Sequence, residues 1–170
     1  MTRSFLAAAL AVLPALPLAA QESEIAAADV ENRDGTSIGT VTVTSQPSGH
    51  ALVILALTDI PEGDHAVHLH ETGDCSAEDF SSAGGHIAGD AQHGIGVEGG
   101  PHPGDLPNVV VGDDGVVNVA FFNPLIEMSQ LFDEDGAAFI MHSDGDDYVS
   151  QPAGAAGDRI ACGVFRREAQ

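Results

Sequence analysis

The chain has 170 residues but no lysine and no tryptophan, and all five of its basic residues are arginines. It has 26 acidic residues, so its formal net charge is −21 at pH 7. A surface with this charge repels nucleic acids and anionic membranes, and it favours solubility. We therefore expect no nucleic acid and no membrane among the partners of the folded domain. Any attraction for an anion would have to come from a few local positive charges.

Long apolar runs are also scarce, apart from one at the N-terminus. Residues 1–20 have a cationic start, an apolar stretch and small residues at the end, which is the pattern of a secretory signal peptide. The run is too short to cross a bilayer, and Pro14 and Pro17 oppose a buried helix. We predict a signal peptide over 1–20, a mature domain over 21–170 and a periplasmic or secreted product. The cut site is defined only to within a few residues, because Leu18 is larger than the residue usually found before such a cut.

Only two cysteines are present, Cys75 and Cys162. In an exported chain this number suggests one disulfide, and two free buried thiols are the alternative. A disulfide between Cys75 and Cys162 would close a loop of 87 positions and stabilise the fold by something on the order of 4 kcal/mol.

Helical periodicity is absent after the N-terminal run. Alternating or β-branched stretches separated by Gly, Pro, Asn and Asp recur about every ten residues, as in a β-sandwich or barrel. The chain shows no internal repeat, linker or second domain. The eight predicted strands cover residues 25–32, 37–45, 52–58, 64–70, 108–111, 116–122, 137–142 and 159–166.

Two stretches have no periodicity at all. Residues 71–107 are rich in Gly, Ala, Ser, His and Pro, and a loop of this length in a small domain is usually functional or tied down. Metal and disulfide are the expected constraints, because the apolar content is too low for packing alone. Residues 143–158 are the second stretch, in which we interpret Asp144 and Asp147 as parts of a solvated acidic loop.

Histidines are the main chemical feature of the chain. His68 and His70 are two residues apart on a predicted strand, so their side chains share one face about 7 Å apart. A third, His142, ends an apolar run, so a rigid strand could hold its side chain in a site. His65 is out of phase with the pair and is expected in the core or behind the ligands, and His50 is expected at a surface turn.

These residues lie in stretches that resemble the copper-zinc superoxide dismutases, in their secreted bacterial form, from about residue 27 to 164. The resemblance implies an all-β fold: an eight-stranded antiparallel Greek-key barrel or sandwich, immunoglobulin-like, with a long metal-binding loop. The matching stretches are His65-Ala66-Val67-His68-Leu69-His70-Glu71, Ser82-Ala83-Gly84-Gly85-His86, Pro101-His102-Pro103-Gly104-Asp105-Leu106-Pro107-Asn108, Ile140-Met141-His142, and Gly157-Asp158-Arg159-Ile160-Ala161-Cys162-Gly163-Val164.

The resemblance also implies two metal sites that share one histidine. Three imidazoles and a carboxylate suit a closed zinc site, and four imidazoles suit copper in both of its oxidation states. His86 would bridge the two ions through its two ring nitrogens. The implied ligands are His68, His70, His86 and His142 for copper, and His86, His93, His102 and Asp105 for zinc.

The implied activity is the dismutation of superoxide to oxygen and hydrogen peroxide, with copper alternating between Cu(II) and Cu(I). His86 and Arg159 are the implied catalytic residues: His86 takes up and returns a proton, and Arg159 holds the superoxide anion by charge-assisted hydrogen bonds. Asp146 matches an aspartate that bonds one ligand of each metal, here His70 or His68 on the copper side and His93 on the zinc side. The resemblance is compatible with a monomer or a homodimer.

Two other functions remain open on the same fold. A copper storage or delivery protein would need the ligands but not Arg159, and a structural module would keep zinc alone. The chain also departs from the family pattern, with Ala66-Val67 before the first ligand pair and Ile87-Ala88-Gly89 after His86. The interval from His86 to His93 is one residue shorter than expected. These departures concern the shape of the zinc loop and remove no ligand.

Overall fold

In the computed structural model, short antiparallel strands organise residues 23–169, the part of the chain that the structure describes. The predicted signal peptide lies outside these residues. The strands are β1 (Ile25–Asn32), β2 (Ser37–Ser45), β3 (Ala51–Leu57), β4 (Gly63–His65), β5 (Val67–His70), β6 (Val109–Val111), β7 (Val117–Asn123), β8 (Ala138–His142), β9 (Arg159–Val164) and β10 (Arg166–Arg167).

The strand order combines neighbours in sequence with distant segments. One sheet runs β5-β8-β9-β1-β2-β3-β7 with β10 beside β1, and β4 pairs with β6 in a second, small sheet. Every pairing is antiparallel. Strand β7 lies beside β3 and β8 beside β5, which are crossings of the Greek-key kind. The predicted all-β class is confirmed.

The single strand predicted over 64–70 is divided in two at Ala66. Before this residue β4 pairs with β6, and after it β5 pairs with β8 in the other sheet. The N–H of Ala66 donates to the carbonyl of Asp144, and its carbonyl accepts from the N–H of His142, each at 2.9 Å. Backbone bonds to the last residue of β8 and to the segment after it therefore hold Ala66 where the chain passes from one sheet to the other.

A short helix, α1 (Met128–Leu131), is an element that the sequence did not predict. Glu127 and Gln130 form a capping box, in which the Glu127 N–H donates to Gln130 Oε1 at 2.9 Å. Met128 and Leu131 are buried against the core. Four residues are too few to produce a recognisable helical period, so only the contacts reveal this turn.

Strands β5 and β8 are buried on both faces. In β5, Val67 and Leu69 belong to the main hydrophobic core, together with Phe139 and Met141 of β8. The opposite face carries His68 and His70, which are also buried. Since successive side chains of a strand point to opposite faces, β5 packs the core with one face and presents its histidines to the long loop with the other.

The long loop between β5 and β6 covers this second face. Phe80 and Ala83 of the loop pack on Ala138 and Ile140 of β8, together with Cys162 of β9. Cys75 and Cys162 form a disulfide, as predicted, and it fastens the start of the loop to β9. Within residues 23–169, no helix is long enough and apolar enough to cross a membrane.

We predict that removing the disulfide destabilises the domain and loosens the loop. In Cys75→Ser/Cys162→Ser the free energy of unfolding should fall by about 4 kcal/mol, because the unfolded chain regains the entropy of a long loop. Urea unfolding measures this loss, and amide exchange should quicken in residues 71–107 more than in β2 and β3. The single variant Cys75→Ser should lose as much stability, and an unchanged unfolding midpoint in both variants would contradict the prediction.

Candidate metal centre

Backbone pairing with the free edge of β5 brings the loop residues to the histidines of that strand. The Ile87 N–H donates to the Leu69 carbonyl and the Leu69 N–H donates to the Gly104 carbonyl, both at 2.8 Å. As a result, His86 lies opposite His70 and Asp105 lies opposite His68. The loop is therefore ordered by hydrogen bonds to the strand as well as by its disulfide.

Four histidines meet on the loop side of β5 and β8. His68, His70, His86 and His142 are all buried, and each offers a ring nitrogen within 4.8 Å of the others. Among residues 23–169, His68 Nδ1, His70 Nε2, His86 Nε2 and at least one nitrogen of His142 have no hydrogen-bond partner. Leaving buried polar atoms unpaired costs about 1–3 kcal/mol each, so this set suits a bound cation. Four imidazoles are the donors that copper accepts in both oxidation states.

A second set surrounds one oxygen of Asp105. Its Oδ1 lies 2.9 Å from His86 Nδ1, 3.1 Å from His93 Nδ1 and 3.2 Å from His102 Nδ1. The Nδ1 atoms of His86 and His102 are 3.5 Å apart. In a tetrahedral zinc site with bonds of about 2.0–2.1 Å, neighbouring ligand atoms lie about 3.3 Å apart. The four residues therefore fit the zinc geometry in both donor type and spacing.

His68 also lies close to this second set, since its ring falls within 4.8 Å of ligand atoms of His86, His93 and Asp105. However, its Nε2 is bonded to Asp146 at 2.9 Å. The hydrogen bonds therefore group His102, and not His68, with Asp105.

Asp146 connects the two sets. Its Oδ2 accepts from His68 Nε2 at 2.9 Å and its Oδ1 lies 3.0 Å from His93 Nε2. The sequence left open whether His68 or His70 was its partner, and in the structure the partner is His68. His70 Nδ1 is instead 3.0 Å from the Gly84 carbonyl.

Burial keeps the imidazoles of His68, His70 and His142 neutral. It lowers the pKa of His68 to about 4, of His70 to about 2 and of His142 to about 3, because a low-dielectric site disfavours the charged ring. Neutral rings are the form that binds metal. Burial alone would raise the pKa of the Asp105 carboxyl, but the hydrogen bonds from His86 and the Gly94 N–H outweigh it and hold that pKa well below its usual range.

Arg159 lies beside the first set at the start of β9. Its Nη1 donates to the Phe80 carbonyl and its Nη2 donates to the Gly84 carbonyl, both at 2.7 Å. The Gly84 carbonyl is shared with His70, so one backbone oxygen holds both the guanidinium and a ring of the set. A guanidinium has five N–H donors, so others remain for an anion.

Several residues at the site were not predicted from the sequence. Gly154 has a φ of +68°, and a Cβ at this position would collide with Asp146 and His93. The Asn108 side chain accepts from the Asp146 N–H at 2.8 Å and donates to the Asp146 carbonyl at 2.9 Å. Asn108 lies within a motif that carries the resemblance, but its contact with residue 146 depends on two loops meeting.

The remaining histidines and aspartates lie where they were expected. His65 is buried, and its Nδ1 lies 2.7 Å from the carbonyl of His142, behind the first set. His50 is exposed beside a turn, and Asp144 and Asp147 are exposed on their loop.

Comparison with known proteins gives a consistent result. Residues 37–165 match the family described as copper/zinc superoxide dismutase (SODC). The chain is 42% identical over 149 residues to the superoxide dismutase [Cu-Zn] of Caulobacter vibrioides, covering 83% of this chain and 85% of that protein. It is 40% identical over 145 residues to superoxide dismutase [Cu-Zn] 1 of Aquifex aeolicus, covering 82% and 86%.

The fold agrees as well. The crystal structure of a superoxide-dismutase-like protein from Bacillus subtilis superposes with a TM-score of 0.75 at 35% identity, covering 81% of this chain and 95% of that one. With a matching family profile, relatives of this identity and the same fold, the chain belongs to the copper/zinc superoxide dismutase family.

Proposed function

We propose that this protein dismutates superoxide to oxygen and hydrogen peroxide at a copper centre bridged to a structural zinc. His68, His70, His86 and His142 would hold copper, and His86, His93, His102 and Asp105 would hold zinc. Membership of the family and the two buried donor sets support this proposal.

The observation that carries it is the placement of His86 between the two sets. Its Nε2 is buried without a partner among the first four histidines, while its Nδ1 lies 2.9 Å from the Asp105 carboxylate of the second set. Loss of the ring proton would let both nitrogens bind cations, and two cations stabilise such an imidazolate together. A storage site for copper alone would have no use for this arrangement.

Copper, when bound, supplies the one-electron chemistry by alternating between its two oxidation states. The chain supplies the proton and the anion site. His86 Nε2 is the atom that would take up a proton and return it to the departing peroxide, and solvent would supply the second proton of hydrogen peroxide. The His86 ring would be held in place by Asp105 on its other side.

Arg159 would hold superoxide through the guanidinium N–H groups that Phe80 and Gly84 do not use. Charge-assisted bonds of this kind are short and strong, and the two carbonyls fix the direction of the group. The chain has no lysine to assist, so attraction of the anion rests on this residue and the metals.

We also propose that the mature protein, residues 21–170, works in the periplasm or is secreted. The Cys75–Cys162 disulfide fits an oxidising compartment. Superoxide is its proposed partner, and it is expected as a monomer or homodimer, which light scattering after gel filtration would distinguish.

The central test is His86→Ala, prepared alongside the wild type and an exposed-histidine control, His50→Ala. The wild type should contain copper and zinc and consume superoxide rapidly when followed by stopped flow. His86→Ala should lose at least about 100-fold of this activity, since a ligand is removed from both metals. Elemental analysis of the same samples reports the metals. Full activity in His86→Ala with both metals bound would contradict the bridging role, and a wild type with both metals but no activity would favour copper storage.

Arg159→Ser should slow consumption at low superoxide by about tenfold while both metals stay bound. Coulomb's law with an effective dielectric of about 20 and a separation of about 6 Å gives about 3 kcal/mol as a ceiling. Screening reduces this to about 1–2 kcal/mol. Arg166→Ser changes the net charge equally at an exposed site and should have little effect. Equal rates in Arg159→Ser and wild type would remove Arg159 from the mechanism.

The metal-free protein should become less stable as the pH falls from 7 to 5. The pKa values of His68, His70 and His142 are lowered in the folded state, so the unfolded chain binds more protons below about pH 6.5. Stability is therefore complete above that pH and is lost below it, with a slope of up to about 1.4 kcal/mol per pH unit for each proton. Urea midpoints at pH 7, 6 and 5 measure it. A midpoint that stays constant or rises would contradict the prediction, and His50→Gln should leave the slope unchanged.

A further inference from the structure

The backbone of His93 is held by a side chain from another loop. Gln151 Oε1 accepts from the His93 N–H at 3.0 Å, and Gln151 Nε2 donates to the His93 carbonyl at 2.8 Å. One carboxamide thus satisfies both backbone groups of a residue whose side chain is completely buried. Among residues 23–169, neither backbone group of His93 has another partner.

Gln151 contacts His93 on a segment whose own backbone bonds do little to fix the position of this histidine. The segment 88–92, before His93, has no strand or helix, and its backbone bonds are Ala91 N–H to Ala88 C=O and Gln92 N–H to Gly99 C=O. A buried ligand on such a segment needs its polar backbone groups bonded to hold its direction. Gln151 provides that restraint from the loop after β8.

A side-chain amide also holds the backbone of Asp146, the residue to which the His93 ring is hydrogen-bonded. His93 Nε2 lies 3.0 Å from Asp146 Oδ1, and Asn108 bonds both the N–H and the carbonyl of Asp146. Each partner of this bond is therefore held at its backbone by a side-chain amide. The Gly96 N–H also donates to the Tyr148 carbonyl at 3.1 Å, so the two loops run together here.

We propose that Gln151 is a positioning residue for the zinc site, which holds the His93 backbone so that Nδ1 points at the metal position and Nε2 points at Asp146. This inference rests on the zinc ligands of the proposed function. The chemistry explains the residue type, because a carboxamide offers an acceptor oxygen and a donor nitrogen on one rigid group. Glutamate offers acceptors only, and asparagine is shorter by one methylene.

The test uses the metal-loaded protein and a chromogenic zinc chelator in excess. Gln151→Met removes both bonds to His93, and a longer one to the Val149 carbonyl at 3.2 Å, at similar volume. It should release zinc about tenfold faster than the wild type, equivalent to about 1.4 kcal/mol. Gln151→Glu keeps the bond from the His93 N–H and should fall between them. Copper content should stay within about twofold, because the Gln151 side chain hydrogen-bonds His93 and Val149 and none of His68, His70 and His142 among the described residues. Gln46→Met, on the turn after β2, is the control and should match the wild type.

Two further measurements separate positioning from general stability. Cobalt in the zinc site should show an altered visible spectrum in Gln151→Met, because a misdirected His93 changes the ligand field. The metal-free variant should lose less stability against urea than the zinc-loaded variant, each compared with the wild type in the same state. Zinc release at the wild-type rate in Gln151→Met would overturn the inference, and so would a loss of stability that is equal with and without metal, or an effect of Gln46→Met as large as that of Gln151→Met. A wild type that binds copper but no zinc would overturn the inference together with the zinc assignment.

Discussion

Buried imidazole nitrogens without protein partners are the constraint on which the rest of the structure depends. Among residues 23–169, His68, His70, His86 and His142 each have at least one such nitrogen between β5, β8 and the long loop. Each unpaired nitrogen costs about 1–3 kcal/mol, and a cation that bound one nitrogen of each ring would remove this cost. The surrounding features follow from this need. The loop pairs with the free edge of β5, the disulfide fastens it to β9, and β5 keeps its other face in the core.

Charged side chains have different roles on the surface and at the site. The chain has a net charge of −21, and most of the carboxylates that the structure describes are exposed. A surface with this charge favours solubility. Two aspartates work differently: Asp105 collects three Nδ1 atoms around one oxygen, and Asp146 joins a histidine of each set. Arg159 is a positive group that the fold brings beside His70 of the first histidine set, where two carbonyls hold it. The site is therefore attractive to an anion only at short range.

Much of the fold and of the candidate site could be predicted from the chain, for reasons that differ between residues. Strands β1 and β2 have the predicted bounds, because alternation over eight or nine residues is a strong local pattern. The break at Ala66 and the four-residue helix α1 could not be predicted, since each depends on a hydrogen bond or packing contact that leaves no period. Gln151 could not be singled out either, since an isolated glutamine in a loop has no motif.

The sequence by itself determined which donors are available and which face they occupy: His68 and His70 on one side of a strand, and His86, His93, His102 and Asp105 on a loop with no core of its own. Alternation along a strand is a local property, so it can be read without a structure. Only the tertiary structure decided which nitrogen of each ring faces which set, that Asp146 bonds His68 and not His70, and that Gln151 holds His93. The physical reason is that these contacts join segments distant in sequence, 78 residues apart for His68 and Asp146 and 58 for His93 and Gln151, whose meeting depends on the packing of the whole sheet.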